Sequence, residues 1–196
     1  MRVLVACEFS GTVRDAFDKL GHEAWSCDLI ASETEGNHYK GDVLDILDND
    51  WDLMIAHPPC THLAISGAAW FKKKEPLGLQ SKALEFVQRL LDAPIPRIAL
   101  ENPISVISTK IRKPDQMIHP WQFGHAEKKS ICLWLKNLPL LQKTREVRPT
   151  FTIGRDSVND GPQFNKMGQY LRQKERSRFF SGIANAMAQQ WGSLDV

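Results

Sequence analysis

Short apolar runs alternate with helically spaced apolar positions along most of this chain. Arg2–Ala6 (RVLVA) is apolar and β-branched, the pattern of a strand buried on both faces. After a turn at residues 7–11, Val13, Phe17 and Leu20 recur at helical spacing and stop at Gly21, which predicts a helix. Residues 24–27 read as a second short strand, followed by a polar stretch to Gly41. Residues 51–56 (WDLMIA) form a third apolar run, broken by Pro58-Pro59. Leu79–Leu91 places Leu84, Val87 and Leu91 at helical spacing and closes at Asp92-Ala93-Pro94. Residues 97–100 (RIAL) predict a fourth strand that ends in Glu101-Asn102-Pro103, and residues 130–135 (SICLWL) a fifth. Residues 178–191 predict a closing helix with Ile183, Met187 and Trp191 on one stripe.

Strands alternating with helices imply an α/β, Rossmann-like fold, a mostly parallel sheet with helices on both faces. Residues 152–175 are rich in Gly, Asn, Asp, Gln and Lys and poor in aliphatics, so they read as a long functional or mobile loop. The chain contains no internal repeat.

At 196 residues the chain is one domain long. A composition of 42% hydrophobic and 24% charged residues excludes a collagen, a low-complexity chain or a disordered one. No run of 18 apolar residues occurs, so no membrane span is expected. The opening MRVLVACEFSG is too short and too soon acidic for a signal peptide. Cys7, Cys27, Cys60 and Cys132 lie far apart with no CxxC pair, a usage suited to a reducing, cytoplasmic setting.

Charge is unevenly spread. Residues 1–109 carry 10 Lys/Arg against 16 Asp/Glu, a balance of −6, whereas residues 110–178 carry 15 against 6, a balance of +9. A basic surface that meets a polyanion is one reading, and a solvated basic face is the other.

Ligands of open α/β sheets bind beyond the carboxyl ends of the strands. Four polar clusters fall at those ends: Glu8-Phe9-Ser10-Gly11, Asp28, His57-Pro58-Pro59-Cys60 and Glu101-Asn102-Pro103. The first turn has one glycine, so the GxGxxG dinucleotide fingerprint fails. Asp28 ends the second strand, where a carboxylate accepts ribose hydroxyls, and Asp42 in Gly41-Asp42-Val43 can accept an adenine amino group. Two prolines fix the backbone ahead of Cys60, whose thiolate would be favoured by a cation such as His57 or His62. A buried structural cysteine is the plain alternative. Zinc held by His57, Cys60 and His62 with His119, His125 or Cys132 is another, but that spacing matches no common signature, and no metal is expected. Burial of Glu101 at a hydrophobic strand end predicts a raised carboxyl pKa. A thiol beside such an acid suggests covalent attack with acid assistance.

In order and content these residues resemble the cytosine-C5 DNA methyltransferases, on the class I S-adenosylmethionine-dependent methyltransferase fold. The resemblance runs in order over residues 3–190. The family's D-x-F-x-G turn is similar to Glu8-Phe9-Ser10-Gly11, its ribose-binding acid to Asp28, and its G-D-[IV] segment to Gly41-Asp42-Val43. Its G-G-P-P-C loop resembles Ala56-His57-Pro58-Pro59-Cys60, and its E-N-V resembles Glu101-Asn102-Pro103. A later Q-x-G-V-P-Q-x-R-x-R segment is similar to residues 122–131, with Lys129 and Ile131 in place of the arginines. The closing G-N-A-V helix resembles Ile183-Ala184-Asn185-Ala186-Met187.

The resemblance implies S-adenosylmethionine as cofactor, contacted by Glu8, Phe9, Ser10, Gly11, Asp28, Asp42, Pro58 and Asn185. It implies DNA as partner, read through a single-stranded or flipped base and contacted by Pro59, Asn102 and Lys129. Cys60 would add to C6 of cytosine and Glu101 would hold N3. The family's large target-recognition domain is replaced by a short, basic, loop-rich insertion over 136–177 within a single 1–196 domain, which implies relaxed or short-context specificity. A catalytically inactive methyltransferase-like fold that binds nucleic acid or a partner is the alternative.

Overall fold

The computed structural model describes residues 1–70, 75–150 and 178–194. In chain order its main elements are β1 (Arg2–Ala6), α1 (Thr12–Asp18), β2 (Glu23–Asp28), β3 (His38–Lys40), β4 (Leu53–Ala56), α2 (Leu79–Leu91), β5 (Arg97–Asn102), α3 (Ile107–Lys110), β6 (Gln116–Ile118), β7 (Ile131–Lys136) and α4 (Ser181–Trp191). The strands form one seven-stranded sheet in the order β3-β2-β1-β4-β5-β7-β6. From β3 to β5 all pairings are parallel, and β7 runs antiparallel to both β5 and β6. This is an α/β, Rossmann-like sheet with a reversed strand near one edge.

Strand alternation splits the core into two layers. Val3, Val5, Leu53, Ile55, Ala99 and Leu133 face α1 and α4, where Val13, Phe17, Ile183, Met187 and Trp191 meet them. Leu4, Ala6, Met54, Ile98, Leu100 and Trp134 face the other way, against Val87 and Leu90 of α2. The central strands therefore read as continuous apolar runs because both faces are covered. Each fully buried Val, Leu or Ile side chain contributes about 1.5–3 kcal/mol relative to exposure.

The expected strands at 2–6, 24–27, 51–56, 97–100 and 130–135 all form, and the helix at 79–91 keeps both its bounds. Leu20, expected on the buried stripe of the first helix, lies beyond α1 and is 50% exposed. Two strands were not expected: β3 and β6 are three residues each and only partly apolar. β5 runs two residues further than RIAL because Glu101 and Asn102 pair with Leu133 and Cys132 of β7. The loop expected over 152–175 lies outside the described residues, and of the 136–177 insertion only 136–150 is described. That part runs along 121–126, held by backbone bonds from Arg145 to Gln122, Val147 to Trp121 and Thr150 to Ala126. No helix among the described residues is long and apolar enough to cross a membrane.

Candidate active site at the carboxyl ends of the strands

Strands β2, β1, β4 and β5 are neighbours, so their carboxyl ends bring the four polar clusters to one edge. At about 4.8 Å between strands, they span roughly 15 Å. Chain connections leave β1 towards β2 and β4 towards β5, so the order reverses between β1 and β4, the crevice where such sheets bind ligands.

The first turn is built around Glu8. Its buried carboxylate accepts the backbone N–H groups of Val13 at 2.7 Å and Arg14 at 3.2 Å and the Ser10 hydroxyl at 3.3 Å. These are donors that the start of α1 would otherwise leave unpaired. Gly11 has φ 73°, and a Cβ there would strike Thr34 and the Arg14 guanidinium. Arg14 is fully buried and donates to Asp15, Ser26, Ser32, Thr34 and the Glu35 carbonyl. Residues 32–37 are thereby drawn over the turn, where Glu33 N–H donates to Phe9 O at 2.8 Å. Glu8, Phe9 and Ser10 are accordingly buried, and the Glu8 carboxylate is taken up by the turn it shapes. Arg14 escaped the sequence reading because an arginine between apolar positions reads as a surface residue.

A pocket of about 200 Å³ opens beside this turn, walled by Cys7, Cys27, Asp28, Leu29, Gly41, Asp42, Val43, Pro59 and Phe86. It gathers Asp28, Asp42 and Pro59 from three separate segments. One oxygen of Asp28 accepts Ile30 N–H at 3.1 Å, and one oxygen of Asp42 accepts Leu44 N–H at 3.0 Å. Each bond fixes a carboxylate while its second oxygen remains able to accept from a ligand. Burial, reinforced by the charges of Asp28 and Asp42, pushes the Cys27 thiol up to about 12 and Cys7 higher still, so both stay neutral. Val43 of the Gly41-Asp42-Val43 segment supplies apolar wall, joined by Leu29 and Phe86, which carry no signal in the sequence. A larger hollow of about 320 Å³, lined by Leu47, Asp48, Arg89 and Pro94 among others, lies towards the amino ends of β4 and β5, away from these clusters.

The Pro-Pro-Cys loop is fastened to the end of β5. Asn102 Nδ2 donates to Pro58 O at 2.9 Å, and the Cys60 carbonyl accepts from Leu63 and Ala64 N–H in the turn that follows. Cys60 is exposed, which excludes the buried-cysteine reading. His57, considered as a cation for Cys60, instead places Nδ1 3.2 Å from Glu101 Oε2.

That contact corrects the expectation for Glu101. Desolvation is the largest single effect and raises the carboxyl pKa as expected, but the hydrogen bond from His57 and the positive charge of Lys129 outweigh it. The result lies below the ordinary glutamate range, so Glu101 is a carboxylate at neutral pH. Lys129 sits in the segment leading into β7, its ammonium 5.7 Å from the Phe180 ring. Buried polar atoms without a partner among the described residues cluster at these strand ends: His57 Nε2, Glu101 Oε1, Asn102 Oδ1 and Ser105 Oγ. Such orphans in a folded core call for an explanation, and a bound ligand is one.

Not every expected residue converges. Neither Cys60 nor Glu101 lines the pocket that holds Asp28 and Asp42. Pro58 contributes its carbonyl to Asn102 and is not on that wall, and Asn185 is exposed on α4. Of the residues weighed as zinc ligands, His125 Nε2 accepts Gly182 N–H at 2.9 Å, His119 Nδ1 faces Lys129 O at 3.2 Å, and Cys132 is buried in β7. Among the described residues no group of three or more His, Cys, Asp or Glu side chains is placed to hold a metal ion.

No family model matches the chain, and no curated protein matches it. Among solved structures, the chain is similar to a candidate DNA modification methyltransferase encoded within a prophage (E. coli), with 12% identity and a TM-score of 0.48 over 76% of this chain and 52% of that one. The chain thus spans about half the length of that protein.

Proposed function

We propose that the protein transfers a methyl group from S-adenosylmethionine to C5 of cytosine in DNA through a covalent Cys60 adduct. The observation that carries this reading is the pocket in which Asp28, Asp42 and Pro59 meet. Two carboxylates, each with an oxygen to spare, and a wall of Leu29, Val43, Pro59 and Phe86 suit the ribose hydroxyls, amino group and flat ring of an adenosine. Its volume is below that of sites that enclose a drug-sized ligand, so it fits the nucleoside portion of the cofactor. When bound, the cofactor supplies an electrophilic sulfonium methyl.

The chain's own residues account for the rest of the reaction. Carbon 5 of cytosine is a poor nucleophile until a thiolate adds at C6. Cys60, exposed at the end of a loop stiffened by two prolines and fastened by Asn102, is the nucleophile. Glu101 accepts from the exocyclic amino group on the N3 edge and orients the ring, while a proton delivered from solvent to N3 relieves the negative charge that thiolate addition brings. Once C5 is methylated, loss of its proton to solvent and expulsion of the Cys60 thiolate restore the ring. A target in duplex DNA is flipped out first, at a cost of a few kcal/mol. Lys128, Lys129, Arg145 and Arg148 lie on adjoining segments and hold backbone phosphates.

A second reading, a methyltransferase-like fold that binds nucleic acid without turnover, is favoured by one observation: His57 and Lys129 keep Glu101 ionised. Nucleoside mass spectrometry separates the two. Incubation of the protein with DNA and S-adenosylmethionine bearing a deuterated methyl group yields labelled 5-methylcytosine under the catalytic reading. DNA retention without label supports the binding module.

A further inference from the structure

His57 stands where the methyltransferase pattern has a glycine, and its side chain is built into the site. Nδ1 lies 3.2 Å from Glu101 Oε2, with the two side chains 11% and 10% exposed. On its other side the imidazole meets Phe179, just ahead of α4, with ring centroids 4.6 Å apart. The ring is thus held by a carboxylate from β5 and an aromatic from the segment entering α4. An ionised carboxylate can only accept, so the hydrogen in this contact sits on Nδ1. The second oxygen of the same carboxylate, Oε1, is buried with no hydrogen-bond partner among the described residues.

We propose that His57 is a positioning residue for Glu101: it holds Oε2 and thereby presents Oε1 as the one carboxyl oxygen that meets the substrate. An acid fixed through one oxygen keeps its other oxygen on a single line of approach. That suits a planar ring offering an N–H donor on one edge, such as the exocyclic amino group beside N3 of a cytosine. The identity of the ring rests on the methyl-transfer reading above, whereas the His57–Glu101 pairing does not. The charged and titratable groups facing Glu101 are His57 at the end of β4, Lys129 ahead of β7 and Cys132 within β7. Lys129 is common to wild type and the His57 variants, and burial together with Glu101 pushes the Cys132 thiol up and keeps it neutral. A change in the behaviour of Glu101 on substituting His57 therefore reports on His57.

The test uses the full chain with carbon-13-labelled glutamate carboxyls and nitrogen-15-labelled histidine. In wild type the Glu101 carboxyl titrates below the ordinary glutamate range. His57→Gly moves that midpoint up, and His57→Asn, which keeps an N–H donor but no charge, leaves it between the two. In parallel, covalent capture of Cys60 on 5-fluorocytosine DNA slows about 10²-fold in His57→Gly, as expected for a misplaced group, and His57→Asn recovers most of the rate. A passive, merely space-filling His57 would leave the carboxyl midpoint unmoved. A variant that fails to fold does not block the test, because the wild-type imidazole reports its own tautomer. Hydrogen on Nδ1 in the neutral ring supports the proposal, and a neutral ring with hydrogen on Nε2 overturns it, as does an equal midpoint in wild type and His57→Gly. A midpoint that moves while no adduct forms in any protein upholds the pairing and removes the methyl-transfer reading instead.

Discussion

The Asn102 side-chain amide donates to the Pro58 carbonyl at 2.9 Å, tying the end of β5 to the loop that carries Cys60. The two residues are 44 positions apart in the chain, and the bond makes the Cys60 loop and the strand that carries Glu101 a single unit. Asn102 is 1% exposed, so its loss leaves the Pro58 carbonyl without this donor. Asn102→Ala is expected to cost about 1–3 kcal/mol, seen in calorimetry as a Tm lower by about 3–10 °C. Adduct formation at Cys60 slows more than cofactor affinity falls. Equal losses in both would mean that the bond supports the fold without placing the loop.

Asp28 offers a cleaner separation of binding from folding. Asp28→Asn keeps a side-chain oxygen for the Ile30 amide but removes the charge and one acceptor from the pocket. Isothermal titration is expected to show S-adenosylmethionine affinity about 10–100-fold weaker, with Tm unchanged. Unaltered affinity would place the adenosine elsewhere.

Arg14 tests how the first turn is held. Its guanidinium is buried and reaches Ser26, Ser32, Thr34 and the Glu35 carbonyl. Arg14→Met preserves volume but strands those acceptors, and breaking such a buried charged network costs about 3–5 kcal/mol. Tm should fall by roughly 6–20 °C, and amide exchange should quicken over residues 32–37. A small Tm change would show that the loop is held by other contacts.

Thiol chemistry follows from burial. Desolvation pushes Cys27 up to about 12, Cys7 above that, and Cys132 upward as well, while Cys60 is exposed. A thiol reacts as thiolate, and a raised pKa keeps that form scarce until the pH approaches it. Brief alkylation of the native protein at neutral pH should therefore label Cys60 first, with the other three reacting on unfolding or at high pH. Peptide mass spectrometry reads the order, and early labelling of Cys27 would contradict it.

Much of the frame was legible in the sequence because its strands are buried on both faces. RVLVA and RIAL carry little polar interruption, and α2 is bounded by Gly78 and Asp92. His38-Tyr39-Lys40 and Gln116-Met117-Ile118 carry no such signal, since three-residue strands at the sheet edges take their structure from a neighbour. The same dependence on a distant partner explains the error over Glu101. Its burial was inferable from the strand that leads into it, but the sign of its pKa shift depends on His57, 44 residues away. The sequence did show His57 in a glycine position; what it touches required the fold. Asp28 and Asp42 were identifiable from strand ends and motif, whereas Phe86 reaches the pocket from a helix face.

Under the proposed function Cys60 forms a bond to a cytosine ring in a reaction that needs S-adenosylmethionine. The most direct measurement is incubation with DNA containing 5-fluorocytosine, with and without the cofactor, followed by intact-mass analysis. Fluorine at C5 blocks the final elimination, so wild type should be captured on the DNA only when the cofactor is present, with the link mapped to Cys60. Cys60→Ser should give no adduct. Wild type that binds this DNA and the cofactor yet remains unlinked, or an adduct that persists in Cys60→Ser, would rule out Cys60 as the nucleophile of a methyl transfer to cytosine.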